Sequence, residues 1–212
     1  IESNQTFLTT TAYVEQGSNV DQLAAELITR KNQLLYAQKP TYQENNIVLK
    51  HEVDPIQWKK LVKQATNTID SKKVNKIVLA RELQIEFGDS CDIGRVLDQL
   101  RNTQENSFIF AWEKESVCFI GATPERLVKV DQQQLISTCL AGTAPRGKTQ
   151  EEDNQLGQQL LHDQKNRNEH QIVVDMIKDA VSSFAKYVEI PEQPILYPLK
   201  NLQHLFTPVK RN

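Results

Sequence analysis

The spacing of apolar residues along the chain changes period several times, and each change marks an element. Residues 7–15 (FLTTTAYVE) are rich in Thr and aromatics and predict a strand. Gln16-Gly17-Ser18-Asn19 predicts a turn. Leu23, Leu27 and Leu34 then recur at helical spacing, which predicts a helix to about Tyr36. Residues 38–53, polar at first and including Pro40, predict a loop and a short strand. A second helix is predicted from Pro55. Asp54 suits its N-cap, Pro55 its first position and Gln57 the capping-box position; Trp58, Leu61, Val62, Ala65 and Ile69 form its apolar stripe.

The pattern then becomes β-like. Strands are predicted over 76–87, 107–113, 117–121, 127–130 and 134–140, with Glu113-Lys114-Glu115-Ser116 as a hairpin turn. Their close spacing favours antiparallel pairing, because parallel pairs need long crossovers. A long helix is predicted over 149–187, opened by the capping box of Thr149 and Glu152, with Leu156, Leu160, Ile172, Met176, Ala180 and Phe184 as its buried stripe. An order of helix, β-rich middle and helix predicts an α+β fold.

Composition narrows the class. Of 212 residues, 39% are hydrophobic and 25% charged, as in a globular protein. The net charge of −2, from 25 basic and 27 acidic side chains, gives no basic excess for nucleic acid and no polybasic membrane anchor. No apolar run reaches the about 20 residues a membrane helix needs. The first residue is Ile1 and no signal-peptide pattern follows, so the chain is expected to begin inside a longer gene product. Three cysteines without paired spacing are expected to be reduced thiols in a cytoplasmic protein, and four histidines without an HExxH pattern point to no zinc site.

Three charged residues stand where apolar or tightly turned surroundings are predicted. Glu169 shares a helix face with Ile172, Val173 and Met176. A carboxylate there needs a partner: Lys165 four residues earlier, or a hard cation such as magnesium. Lys76 alternates with Val78 and Ala80, either as an edge-strand gatekeeper or as a functional amine. To act as a general base, an amine must be unprotonated part of the time, which burial or a nearby cation promotes. Glu125 leaves a strand on a Pro-containing turn, as a solvated carboxylate or as a general acid. Gly142, flanked by Ala141 and Thr143, either makes a turn or lets the backbone present N–H groups to an anion.

Together these segments resemble the chorismate-binding enzymes. The resemblance runs from about Pro55 to Val209 and rests on five motifs in the family's order: KIVLAR (76–81), GATPERL (121–127), LAGTAPRG (140–147), HDQKNRNEHQIVV (162–174) and NLQHLFTPV (201–209). It implies the anthranilate/isochorismate synthase-like α+β fold, antiparallel sheets with flanking helices. Residues 1–53 would be the end of an N-terminal sheet region and 54–212 the first part of the catalytic region. It implies Lys76 as the base that activates water, Glu125 as the general acid, Glu169 as a magnesium ligand, Gly142 and Thr143 as a substrate-carboxylate loop and His204 as a pocket residue. His204 is equally compatible with a packed loop histidine.

The implied cofactor is Mg2+ and the implied substrate is chorismate. Relatives that use ammonia typically carry Gln where Lys76 stands, so no glutamine amidotransferase partner is expected. Lysine points to the water-using branch, the isochorismate synthases and the salicylate synthases, the latter adding pyruvate elimination. The segment 162–174 looks more like the menaquinone-pathway type. The family pattern also implies a second magnesium glutamate, an arginine, a tyrosine and a glycine-rich segment beyond Asn212. The competing expectation is therefore a catalytically inactive fragment.

Overall fold

The structure, a computed structural model, describes residues 6–38, 41–132, 134–184 and 187–211. The chain divides into two units, residues 1–42 and 43–212. In the first, α1 (Val20–Leu35) follows the predicted helix, and the Asn19 side chain accepts from the Gln22 N–H at 3.1 Å. Residues 7–15 form no strand. Threonines and aromatics favour a strand only when a neighbouring strand completes the ladder, and none among the described residues does so. Pro40 lies outside the described residues.

The second unit opens with β1 (Ile47–Glu52), followed by α2 (Pro55–Asp70). Asp54 caps α2 as predicted, its carboxylate accepting from the Gln57 N–H at 3.0 Å. The expected apolar stripe of α2 is not fully covered: Leu61 and Val62 are exposed, and no residue of the helix is buried. The predicted strand over 76–87 shortens to β2 (Leu83–Phe87), antiparallel to β1. Residues 76–82 have no ladder partner among the described residues, and Val78 is 80% exposed.

A helix that the apolar pattern does not predict, α3 (Ile93–Thr103), follows. Asp92 caps it, accepting from the Arg95 N–H at 3.0 Å and the Gln43 N–H at 2.8 Å. The Arg95 and Gln43 N–H groups together hold the Asp92 carboxyl below the usual carboxylate range. The hairpin β3 (Phe108–Lys114) and β4 (Val117–Thr123) forms where expected, with Glu115 at φ +55° in its turn. Gly121 stands opposite Phe110, whose ring lies so close that a Cβ on Gly121 would collide with it.

The core lies in a four-stranded antiparallel sheet, in the order β5 (Lys129–Asp131), β6 (Gln134–Pro145), β8 (Leu202–Arg211), β7 (Ile195–Pro198). Residues alternate strictly along β8: Gln203, Leu205, Thr207 and Val209 are buried, and their neighbours are not. Leu135, Cys139 and Val209 pack with Val174 and Val181 of the helix α5 (Gln164–Ser182).

The long helix predicted over 149–187 is two. Asp163 ends α4 (Gln150–His162), its N–H bonding to the Gln159 carbonyl, and begins α5, its carboxylate accepting from the Asn166 N–H at 2.8 Å. An Asp N-cap therefore divides a continuous helical pattern. The break changes the buried face: His170, Val174 and Val181 are buried, whereas Met176 and Phe184 are exposed. Residues 185–186 lie outside the described residues. The α+β class, with antiparallel sheets and flanking helices, is as expected.

Candidate active site

The second turn of α5 places Glu169 toward Lys76. The Lys76 Nζ lies 3.6 Å from Glu169 Oε1, and both side chains are partly exposed. The carboxylate's partner is thus Lys76, far away in sequence, and not Lys165. A pair at this distance and exposure contributes only about 0–1 kcal/mol to stability. The pair joins two of the motifs, 76–81 and 162–174, at little gain in stability.

Next to Glu169, His170 is only 2% exposed. Its Nδ1 lies 3.2 Å from the Ala141 carbonyl oxygen and its Nε2 lies 2.8 Å from Thr207 Oγ1. A carbonyl only accepts, so Nδ1–H donates to Ala141, and the Thr207 hydroxyl donates to Nε2. Burial pushes the His170 pKa down, and the nearby Arg167 and Lys76 charges act in the same direction. His170 has no counterpart in the sequence-based expectations. It lay inside the 162–174 motif, one residue beyond Glu169, without a role assigned to it.

Ala141 leads into Gly142, where the β6–β8 register slips by one residue. Gly142 has φ +79°, a backbone conformation that side chains other than glycine rarely adopt. A Cβ there would sit 3.2 Å from both Asn166 Cβ and Leu205 Cδ1. The bulge therefore lets the backbone lie against the first turn of α5. Beyond it, Thr143 faces His204 across the ladder, with Oγ1 2.9 Å from Nδ1. On its other side, His204 stands opposite Tyr197, whose ring stacks on Phe206 at 5.2 Å.

Glu125 stands apart. It is exposed on the Pro124 turn after β4, and among the described residues no ion pair or hydrogen bond joins its carboxylate to Lys76 or Glu169. The turn is nevertheless anchored to β6. The Arg126 N–H donates to Thr138 Oγ1 at 3.0 Å, and the Ser137 hydroxyl donates to the Leu127 carbonyl at 2.6 Å. Thr138 and Ser137, which no motif singled out, anchor the turn just after Glu125. Burial, and secondarily the Glu125 charge, pushes the Cys139 thiol up to about 11, so it stays protonated at neutral pH.

The end of the LAGTAPRG motif is structural. The Arg146 guanidinium grips the Asp153 carboxylate through Nε at 2.7 Å and Nη2 at 2.6 Å, and Nη1 donates to the Leu199 carbonyl at 2.6 Å. These bonds tie β6 to α4 and to the β7–β8 turn. Gly147 is required there, because a Cβ would overlap the Asp153 backbone.

Among the described residues no group of three or more His, Cys, Asp or Glu gathers into a cage. Glu169 offers one carboxylate, which fits the sparse protein ligation of a hard cation that keeps waters and takes substrate oxygens. No helix among the described residues is long and apolar enough to cross a membrane.

The profile of the chorismate binding enzymes matches residues 1–212. The chain is 39% identical over 203 residues to isochorismate synthase MenF of Bacillus subtilis, covering 96% of this chain and 43% of that protein. It is 38% identical over 154 residues to the salicylate biosynthesis isochorismate synthase of Pseudomonas aeruginosa, covering 73% of this chain and 32% of that one. Among solved structures, the 2,3-dihydroxybenzoate-specific isochorismate synthase DhbC of Bacillus anthracis superposes with TM-score 0.73 at 29% identity, over 82% of this chain and 48% of that one. MenF of Escherichia coli superposes with TM-score 0.76 over 90% of this chain and 45% of that one; at 24% identity this shows the shared fold. The chain thus spans less than half the length of these relatives, and across its whole length it belongs to the chorismate-binding enzyme family.

Proposed function

We propose that these residues form part of the active site of an isochorismate synthase. In that reaction water adds to one ring carbon of chorismate while hydroxyl leaves from another, so one water enters and one departs. The observation that carries the reading is the Lys76–Glu169 pair at 3.6 Å, which joins the KIVLAR and NEHQIVV segments. Similarity to the isochorismate synthases of Bacillus subtilis and Pseudomonas aeruginosa supports it.

In this reading the Lys76 amine takes a proton from the attacking water, and the Glu125 carboxyl gives one to the departing hydroxyl. The acid and base act at different ring carbons, in keeping with their separate places in the fold. The Gly142–Thr143 backbone, freed by the bulge, turns N–H groups toward a substrate carboxylate, and His204 orients the Thr143 hydroxyl beside it. Magnesium held at Glu169 would supply positive charge to offset the carboxylates of the substrate. The reading includes a cytoplasmic setting and the menaquinone pathway, and the pathway is in line with the MenF relatives.

The test is the full-length protein with chorismate and a magnesium titration. Isochorismate should form without pyruvate; release of pyruvate would identify a salicylate synthase, and no turnover would sink the enzymatic reading. Glu169→Ala should flatten the magnesium dependence while changing stability by less than about 1 kcal/mol, because the ion pair is half-exposed. An unchanged magnesium titration would return Glu169 to a purely structural role.

A further inference from the structure

His170 is a buried polar side chain that this chemistry leaves unused. An imidazole taken out of water is costly unless both nitrogens are satisfied. Here they are satisfied from two different strands: the Ala141 carbonyl on β6 and the Thr207 hydroxyl on β8. The bond to Ala141 falls one residue before the Gly142 bulge, where the ladder register slips and strand pairing restrains the backbone least. The same side chain is one residue from Glu169. An apolar residue could fill the space but could not hold the Ala141 carbonyl.

We infer that His170 is a positioning residue, whose imidazole holds the Ala141–Gly142–Thr143 backbone against the turn of α5 that carries Glu169. The loop that faces the substrate carboxylate and the carboxylate paired with Lys76 then share one anchor. Asn166 completes the contact, since the Gly142 backbone packs against it. A shift of about 1 Å at such a site is enough to cost up to about 100-fold in rate. The inference rests on the proposed reaction for its kinetic consequence, though not for its structural one.

Two substitutions separate the two bonds. In His170→Asn the amide nitrogen lies near the position of Nδ1 and keeps the bond to Ala141. In His170→Gln the amide reaches the Nε2 position and keeps only the link to Thr207. In the full-length protein, His170→Gln should lower kcat/KM for chorismate by about tenfold or more, mainly through KM, and His170→Asn should recover a large part of that loss. Deuterium uptake should rise in peptides covering residues 139–145 in His170→Gln, and not in peptides covering the β3–β4 hairpin.

Unchanged uptake at 139–145, a uniform rise over the whole sheet, or His170→Asn behaving no better than His170→Gln would overturn the inference. If the unsubstituted protein does not turn over chorismate, the proposed reaction fails, and deuterium uptake alone decides the role of His170. If the His170 variants do not fold, Thr207→Val removes the second bond at nearly constant volume. That variant keeps the Ala141 bond, so uptake at 139–145 should stay close to that of the unsubstituted protein, and a selective rise there would overturn the inference.

Discussion

In the four-stranded sheet and in the β3–β4 hairpin alike, successive side chains point to opposite faces, yet the two regions end in opposite environments. In the sheet, Leu135, Cys139, Leu205 and Val209 are buried, with α5 over Leu135, Cys139 and Val209. In the hairpin, Trp112 is 73% exposed and Phe119 65% exposed, and the Phe110 ring packs mainly on Gly121 and Phe119. Strand geometry therefore states which residues share a face and leaves open whether anything covers it.

The proposed site residues divide along the same line. Gly142, Thr143, Glu169 and His204 belong to the covered sheet and its helix. Lys76 lies on an extended segment without a ladder, and Glu125 on a turn just after the hairpin. In the proposed reading the packed region supplies the frame that faces the substrate carboxylate. The proposed base and acid come from less covered segments, and the turn after Glu125 is pinned by the bonds of Arg126 to Thr138 and of Leu127 to Ser137.

Four measurements would break or sharpen this contrast. The largest effect is expected on chemistry: Lys76→Gln should reduce turnover of chorismate by about 100-fold to 10,000-fold, the range for loss of a general base. Retained turnover would separate Lys76 from the reaction. Next, Leu205→Ala in the covered sheet should lower stability by about 2–5 kcal/mol in denaturant unfolding, because Leu205 is fully buried between β6 and β7.

A smaller effect, visible only in acid, is expected at Asp153. Hydrogen bonds from the Arg146 side chain and the Gly147 N–H hold its carboxyl down to about 2, from an ordinary 3.8. A lowered folded-state value means that this stabilisation is fully present above the ordinary value and is lost as pH falls through about 2. Thermal melts between those limits should therefore drop more steeply in the unsubstituted protein than in Asp153→Asn. The smallest effect is expected at Trp112, where substitution by Gln should change stability by less than about 0.5 kcal/mol. A large loss there would show that the hairpin is covered in solution.

Much of the architecture was legible from residue chemistry. The Asp54-Pro55 start of α2, the Glu113–Ser116 hairpin turn, the antiparallel pairing and the need for glycine at position 142 all follow from local rules. Where a long-range partner decides, local rules fell short. Residues 7–15 and 76–82 have strand chemistry and no ladder among the described residues. The helical pattern over 149–187 hid the break at Asp163, because an N-cap residue inside a continuous amphipathic run reads as an ordinary polar position. β8 alternates in burial but not in polarity, because Gln203 and Thr207 share the buried face with Leu205 and Val209, so the sequence marked it only as the NLQHLFTPV motif.

The site shows the same division. Residue types and motif order marked Lys76, Glu125, Gly142, Thr143, Glu169 and His204 as candidates, since a charge on an apolar face or a glycine between small residues is visible in one dimension. Only the folded chain decided that Glu169 meets Lys76 and not Lys165, that Thr143 meets His204, and that His170 joins two strands behind the Gly142 bulge. Sequence by itself determined the chemistry available and the local conformations that glycine, proline and capping residues impose. Which groups touch depended on strand register and on where α5 begins, and both are set by packing between segments far apart along the chain.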